Sequence, residues 1–156
     1  MVRNLGVRPR GVVRAAAMIV ALAAGGLVVN TQSAVAAPYD GTDPAATGCA
    51  STARTIDARN LDGGNARIEL RYSSGCRTAW ARITLQNGTR CVPGEDRCGS
   101  ADIVRNSDGQ RYSCYTPAGT NTSCYTRQVN DSGVTSFAEG WFDNGAQSYY
   151  DRTRNW

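Results

Sequence analysis

The side chains here that could move a proton or form a bond are few. Histidine and lysine are both absent. Without histidine there is no Ser-His-Asp or Cys-His nucleophile, and no histidine-ligated zinc. Without lysine there is no Schiff base, no Ser-Lys pair and no phosphate-binding P-loop. Acid–base work falls to carboxylates and tyrosines. Glu69, Glu95 and Glu139 are the only glutamates, and nothing in their spacing makes two of them converge as glycoside hydrolysis would require. A carboxylate-dependent hydrolase is therefore an alternative without a site: no catalytic residue, cofactor or metal is assigned.

The second chemical feature is a tryptophan among charges. In Ala66-Arg-Ile-Glu-Leu-Arg-Tyr-Ser73 apolar and polar residues alternate with the period of a half-buried strand. Ser74-Gly75 reads as a two-residue hairpin turn, which sets Ser73 against Cys76. Ile68 then faces Ala81, and Leu70 faces Ala79, on the inner side. On the outer side Glu69 lies opposite Trp80, Arg71 opposite Thr78, and Arg67 opposite Arg82. A wet face bearing Trp80, Arg82, Glu69 and Arg71 could hold a sugar, a peptide or a wall polymer by stacking and charged hydrogen bonds. The alternative is that another strand covers Trp80 and the charges form a solvated ion row.

Six cysteines make an even set: Cys49, Cys76, Cys91, Cys98, Cys114 and Cys124. Three disulfides are the expectation for an exported chain. Zinc is the alternative, but no Cys-x-x-Cys pair occurs. Sequence alone does not choose among the pairings. Cys91 and Cys98 can close their own loop. Ser113-Cys-Tyr-Thr116 recurs as Ser123-Cys-Tyr-Thr126, so a hairpin would set Cys114 against Cys124, leaving Cys49 for Cys76. Arg90 and Arg97 around the first loop would suit a trypsin-like pocket, so a protease-inhibitor-like interaction module is a further alternative.

Short strands with turn signals about every ten residues, and no sustained helical period, indicate an all-β domain. A small antiparallel barrel or sandwich is expected, preceded by one helical turn that Asp43 caps, Pro44 enters and Gly48 ends. Asp40 and Asp43 are too few for a calcium site. Asn144-Gly145 is read as a hairpin turn that places Tyr149 over Gly140.

Arg3, Arg8, Arg10 and Arg14 precede an apolar run from Ala15 to Val29, and Ala34-Val35-Ala36 has the form of a cleavage site. Residues 1–36 thus read as a general-secretion signal peptide cut between Ala36 and Ala37, with 37–156 as one extracellular domain. The formal charge of +4 arises from 17 basic and 13 acidic residues. Four arginines and no acid leave with the signal, so the mature domain is neutral. Nucleic acid and, after cleavage, membrane are not expected partners. A cell-wall polymer, glycan or extracellular protein is.

Glu69-Leu-Arg-Tyr-Ser73, Cys76-Arg77 and Ala79-Trp-Ala-Arg-Ile83 resemble the central signature of the YjfA-like proteins of unknown function. Asp40-Gly-Thr-Asp-Pro44, Thr47-Gly-Cys49, Val129-Asn-Asp131 and Ala138-Glu-Gly140 are similar too. The resemblance implies export and a compact domain, with no activity, substrate or catalytic residue attached.

Overall fold

The alternation that begins at Ala66 forms the strand around which the core is arranged. β1 (Ala53–Leu61), β2 (Ala66–Ser73) and β3 (Thr78–Leu85) run as an antiparallel meander. β8 (Ser123–Tyr125) and β9 (Val129–Asn130) pair with the free edge of β3 and complete the first sheet. The second sheet has the order β11 (Ser148–Arg152), β10 (Ser136–Asp143), β5 (Gly99–Arg105), β6 (Arg111–Tyr115). A minimal ladder joins β4 (Arg90–Cys91) to β7 (Gly119–Thr120). This computed structural model describes residues 38–92, 94 and 98–156. The segment read as a signal peptide, the Ala36–Ala37 junction, Glu95 and Arg97 lie outside them.

The two sheets face each other with β10 near β2 and β5 near β3, and neither closes on itself. The fold is an antiparallel sandwich rather than a barrel. Helical structure among the described residues is limited to short turns, at Cys49–Thr52 and Asp62–Gly64. Ahead of them Asp43 Oδ1 accepts from the backbone N–H groups of Ala45 and Ala46 at 2.7 and 3.2 Å, and Gly48 follows with φ of 77°.

The hairpins expected at Ser74-Gly75 and Asn144-Gly145 form, each slipped by two residues. Ser73 pairs with Thr78, not Cys76, so Leu70 faces Ala81, Ile68 faces Ile83, Arg71 faces Trp80 and Glu69 faces Arg82. Likewise Asp143 pairs with Ser148, and Gly140 faces Asp151 rather than Tyr149. The turns are longer than the Ser-Gly and Asn-Gly dipeptides indicate. In the first, Arg77 takes φ of 55°; in the second, Asn144 Oδ1 accepts from the N–H of Ala146 and of Gln147. A slip of two residues preserves the face of every side chain, because the strand period is two.

The inner faces are complementary in size. Ile68, Leu70, Ile83 and Leu85 project from the first sheet, all essentially inaccessible. The second sheet answers with Gly99, Ala101, Ala138 and Gly140. A methyl group on Gly140 would stand 2.9 Å from Ile68 Cβ, a β-branched centre with little room to move. One on Gly99 would meet only the far end of Ile83 at 2.9 Å. Gly140 is thus bare because Ile68 occupies its space, not because Tyr149 covers it.

Disulfides join Cys49 to Cys76, Cys91 to Cys98 and Cys114 to Cys124, and no cysteine is free. The repeated Ser-Cys-Tyr-Thr segments do not form a hairpin. Cys114 lies on β6, opposite Ala101 of the second sheet, whereas Cys124 lies on β8, opposite Ile83 of the first. The bond is therefore a staple between layers. Cys49–Cys76, with the longest separation of 27 residues, should restrict the unfolded chain most, by about 3–4 kcal/mol in the chain-entropy account.

Gly140→Ala is expected to destabilise the domain by about 1–3 kcal/mol through overpacking. In a double-mutant cycle by chemical denaturation, Ile68→Ala should recover part of that cost, since it removes the side-chain atoms beyond Cβ that crowd the new methyl. Strict additivity of the two changes would show that the contact does not set the sheet separation.

Candidate functional site

Cross-strand pairing assembles Glu69, Arg71, Trp80 and Arg82 on the outer face of the first sheet, with Arg71 directly beside Trp80 and Glu69 beside Arg82. The side is the one expected, but Trp80 is not wet. Only 4% of it is exposed. The cover is the N-terminal turn rather than another strand: Pro44, Ala45 and Ala50 share with Trp80 a hollow of about 190 Å³, closed further by Tyr125, Arg71 and Arg82. Gln128 Nε2 fastens that turn by donating to Thr42 Oγ1 and Thr47 Oγ1 at 2.8 and 2.9 Å. Arg127 Nη1 donates to the Gly41 carbonyl at 2.9 Å. The Cys49–Cys76 bond ties the turn to the β2–β3 loop.

The charges around the hollow are unequally matched. Arg82 Nε donates to Glu69 Oε2, and Thr55 Oγ1 donates to Glu69 Oε1 at 2.9 Å. Burial opposes ionisation of Glu69, but these bonds and the nearby arginine charges outweigh it and hold the carboxyl below its ordinary value. Arg71 Nη1 donates to Thr55 Oγ1 at 2.7 Å and has no ion-pair partner among the described residues. Partial burial, then repulsion from Arg82, lower it from its ordinary value, although an arginine remains charged at any physiological pH. Two guanidinium groups and one committed carboxylate leave an excess of positive charge beside the indole.

Among the described residues the other carboxylates do not make a hydrolytic pair. Glu139 converges with Asp102 across β10 and β5, and Arg111 Nη1 donates to both. Tyr150 Oη donates to Glu139 Oε2 at 2.9 Å. No group of three or more His, Cys, Asp or Glu side chains suited to a metal occurs among the described residues. Asp40, weighed above as a calcium ligand, instead accepts from Arg105 Nη1 at 2.8 and 2.7 Å and from the Asn130 N–H.

Among the described residues, Asp131 is the one acid set up to hold a proton. Burial pushes it up to about 6, against the hydroxyl of Ser136, which donates at 2.8 Å, and the charge of Arg105. Its side chain is enclosed, with no access for a substrate. A larger hollow, about 770 Å³, lies elsewhere and is lined by Asp62, Asn65, Arg90 and Asn144 among others. Asp62 there already accepts from Asn65 and Asn144.

What the sequence reading missed is the outer face of the second sheet. Gly140 and Phe142 point inward, so Trp141 points out and meets Tyr150, their ring centroids 5.1 Å apart. Tyr115 stands on the same face and is 76% exposed. The signal for it is the alternation of Ala138, Gly140 and Phe142 with Glu139 and Trp141.

A two-layer antiparallel sandwich, stapled by three disulfides and with aromatic residues on both outer faces, defines the class: a small disulfide-bonded β-sandwich without a recognisable catalytic centre among the described residues. The chain belongs to the family described as "Protein of unknown function (DUF2690)", whose pattern matches residues 37–139. It is 38% identical over 113 residues to "Uncharacterized protein YjfA" of Bacillus subtilis (strain 168), an alignment covering 65% of this chain and 69% of that protein. No solved structure matches it.

Two outcomes follow from this geometry. Trp80→Ala should cost about 3–5 kcal/mol in a denaturation curve, as for a core aromatic; a loss well under 1 kcal/mol would place the indole at the surface. For Asp131 the folded value exceeds the ordinary 3.8, so its stabilising effect is complete below that pH and is lost as pH rises through about 6. Asp131→Asn, which keeps an acceptor for Ser136, should therefore melt higher than the parent at neutral pH. The gap should close on acidification to about pH 4.

Proposed function

We propose that the chain is a non-catalytic binding module that acts outside the cell, exported by its signal segment and engaging cell-wall material through the Trp80 hollow. The observation that carries this is Arg71: partly buried beside an indole, held by Thr55 alone, and without a carboxylate of its own among the described residues. A guanidinium so placed is matched by a carboxylate from a ligand, which it can grip with two parallel hydrogen bonds. Peptide stems and acidic sugars of the wall offer such groups. The three disulfides favour an oxidising compartment. No helix among the described residues is long and apolar enough to cross a membrane. The alternatives, a protease-inhibitor-like Cys91–Cys98 loop and a carboxylate hydrolase, gain no comparable observation.

The test is sedimentation of the mature protein with purified peptidoglycan sacculi, native or with their carboxylates amidated. Retention should fall on amidation, and Arg71→Gln should reduce retention on native sacculi about tenfold while leaving the melting temperature nearly unchanged. Equal retention on amidated sacculi, or an unaffected Arg71→Gln protein, would remove the basis of this reading.

A further inference from the structure

The outer face of the second sheet carries three exposed aromatic side chains in one line. Pairing sets Tyr150 beside Trp141, Trp141 beside Ser100, and Ser100 beside Tyr115. Residues paired across strands share a face. Tyr150, Trp141 and Tyr115 are 51%, 36% and 76% exposed. Between Trp141 and Tyr115 lies a hollow of about 270 Å³, lined also by Ser100, Asp143 and Ser148. Across β5, where Ser100 offers only a hydroxyl, the two aromatic positions are two strands apart, about 9–10 Å at the backbone.

The adjoining row consists of Arg152, Glu139, Asp102 and Ser113. Its charges are satisfied internally: Arg111 binds both acids, Tyr150 donates to Glu139, and Arg152 lies 4.2 Å from the centroid of the Phe137 ring. The aromatic strip is therefore one side chain wide, bordered on this side by compensated charge and on the other by Asp143, whose carboxylate accepts from Ser148 and the Gly145 N–H. That form does not suit a protein partner, whose interface needs a broad apolar centre. Nor does it call for a charged ligand. It suits an extended polymer of rings with apolar faces and hydroxyl edges. The C–H groups on the face of a pyranose meet the negative face of an aromatic ring, as its quadrupole requires. The spacing of Trp141 and Tyr115 is comparable to the repeat of a β-linked disaccharide, so alternate sugars can stack while Ser100, Asp143 and Ser148 serve the hydroxyls between.

We infer that the Tyr150–Trp141–Tyr115 row is a platform for a neutral β-linked polysaccharide laid across the strands, distinct from the Trp80 hollow. The site does not depend on the carboxylate reading above, and it takes a ligand of different charge.

Native affinity electrophoresis through gels containing hydroxyethylcellulose or glycol chitin tests it. The parent protein should be retarded by at least one polymer. Trp141→Ala and Tyr115→Ala should each weaken the dissociation constant about tenfold, the usual scale for losing an aromatic anchor. Tyr115 is exposed enough that its variant remains informative should Trp141→Ala disturb folding, which a thermal melt would reveal. Arg71→Gln should leave retardation unchanged, which separates this site from the one under "Proposed function". Unretarded migration of the parent in both polymers, or full retardation of both alanine variants, overturns the inference. So does a dimer in size-exclusion chromatography that Trp141→Ala dissociates in the absence of polymer binding, since the face would then serve self-association.

Discussion

The sandwich depends on the contact between the bare backbone at Gly140 and the β-branched side chain of Ile68. Where β10 passes β2 there is no room for even a methyl group. That approach fixes the separation of the layers, and the other inner positions follow from it. Ala101 and Ala138 stay small beside Gly140, and Ile68, Leu70, Ile83 and Leu85 of the facing sheet fill the space together with Ile103 and Phe142. Interiors are packed to near crystal density, so one close approach propagates through neighbouring side chains. The same contact orients the outer surface. With Gly140 and Phe142 turned inward, Glu139 and Trp141 must turn outward, and the exposed aromatic row follows.

A core made largely of alanine, glycine and a few branched residues buries limited apolar area, and covalent links supplement it. Each disulfide acts on a different part of the architecture. Cys114–Cys124 joins edge strands of opposite layers, and Cys49–Cys76 anchors the N-terminal turn over the first sheet. Arg105 adds an electrostatic tie between that N-terminal segment and the second sheet, through Asp40 and Asp108. Asp108 foremost, with Asp40, raises Arg105 above its ordinary value despite burial. The outer faces differ in consequence. One is covered by an anchored turn and leaves a small cationic hollow; the other is open and aromatic.

Much of this was legible before any coordinates. Alternation through Ile68, Leu70 and Tyr72 identified the strand, its partner and the side on which Trp80 lies. The register was not legible, because a Ser-Gly dipeptide can sit in either a two-residue or a longer turn, and both keep the same residues inside. Convergence of Glu139 with Asp102 was hidden as well. They come from strands separated by four intervening elements, and no local pattern links β5 to β10.

By itself, then, the sequence determined the class and the chemistry. Period-two alternation with frequent turn residues permits sheets and disfavours helices, an even cysteine set without a Cys-x-x-Cys pair points to disulfides, and the absence of histidine and lysine removes most covalent and acid–base mechanisms. Those properties reside in residue types and short spacings. Tertiary structure decided what is covered and what meets. Trp80 is buried by a turn thirty-odd residues earlier in the chain, Cys114 and Cys124 meet across layers rather than along a hairpin, and Trp141 is left open. Burial and long-range proximity depend on how two sheets stack and on what lies above them. Local periodicity carries no information about either, because it reports which face a side chain takes and not what that face encounters.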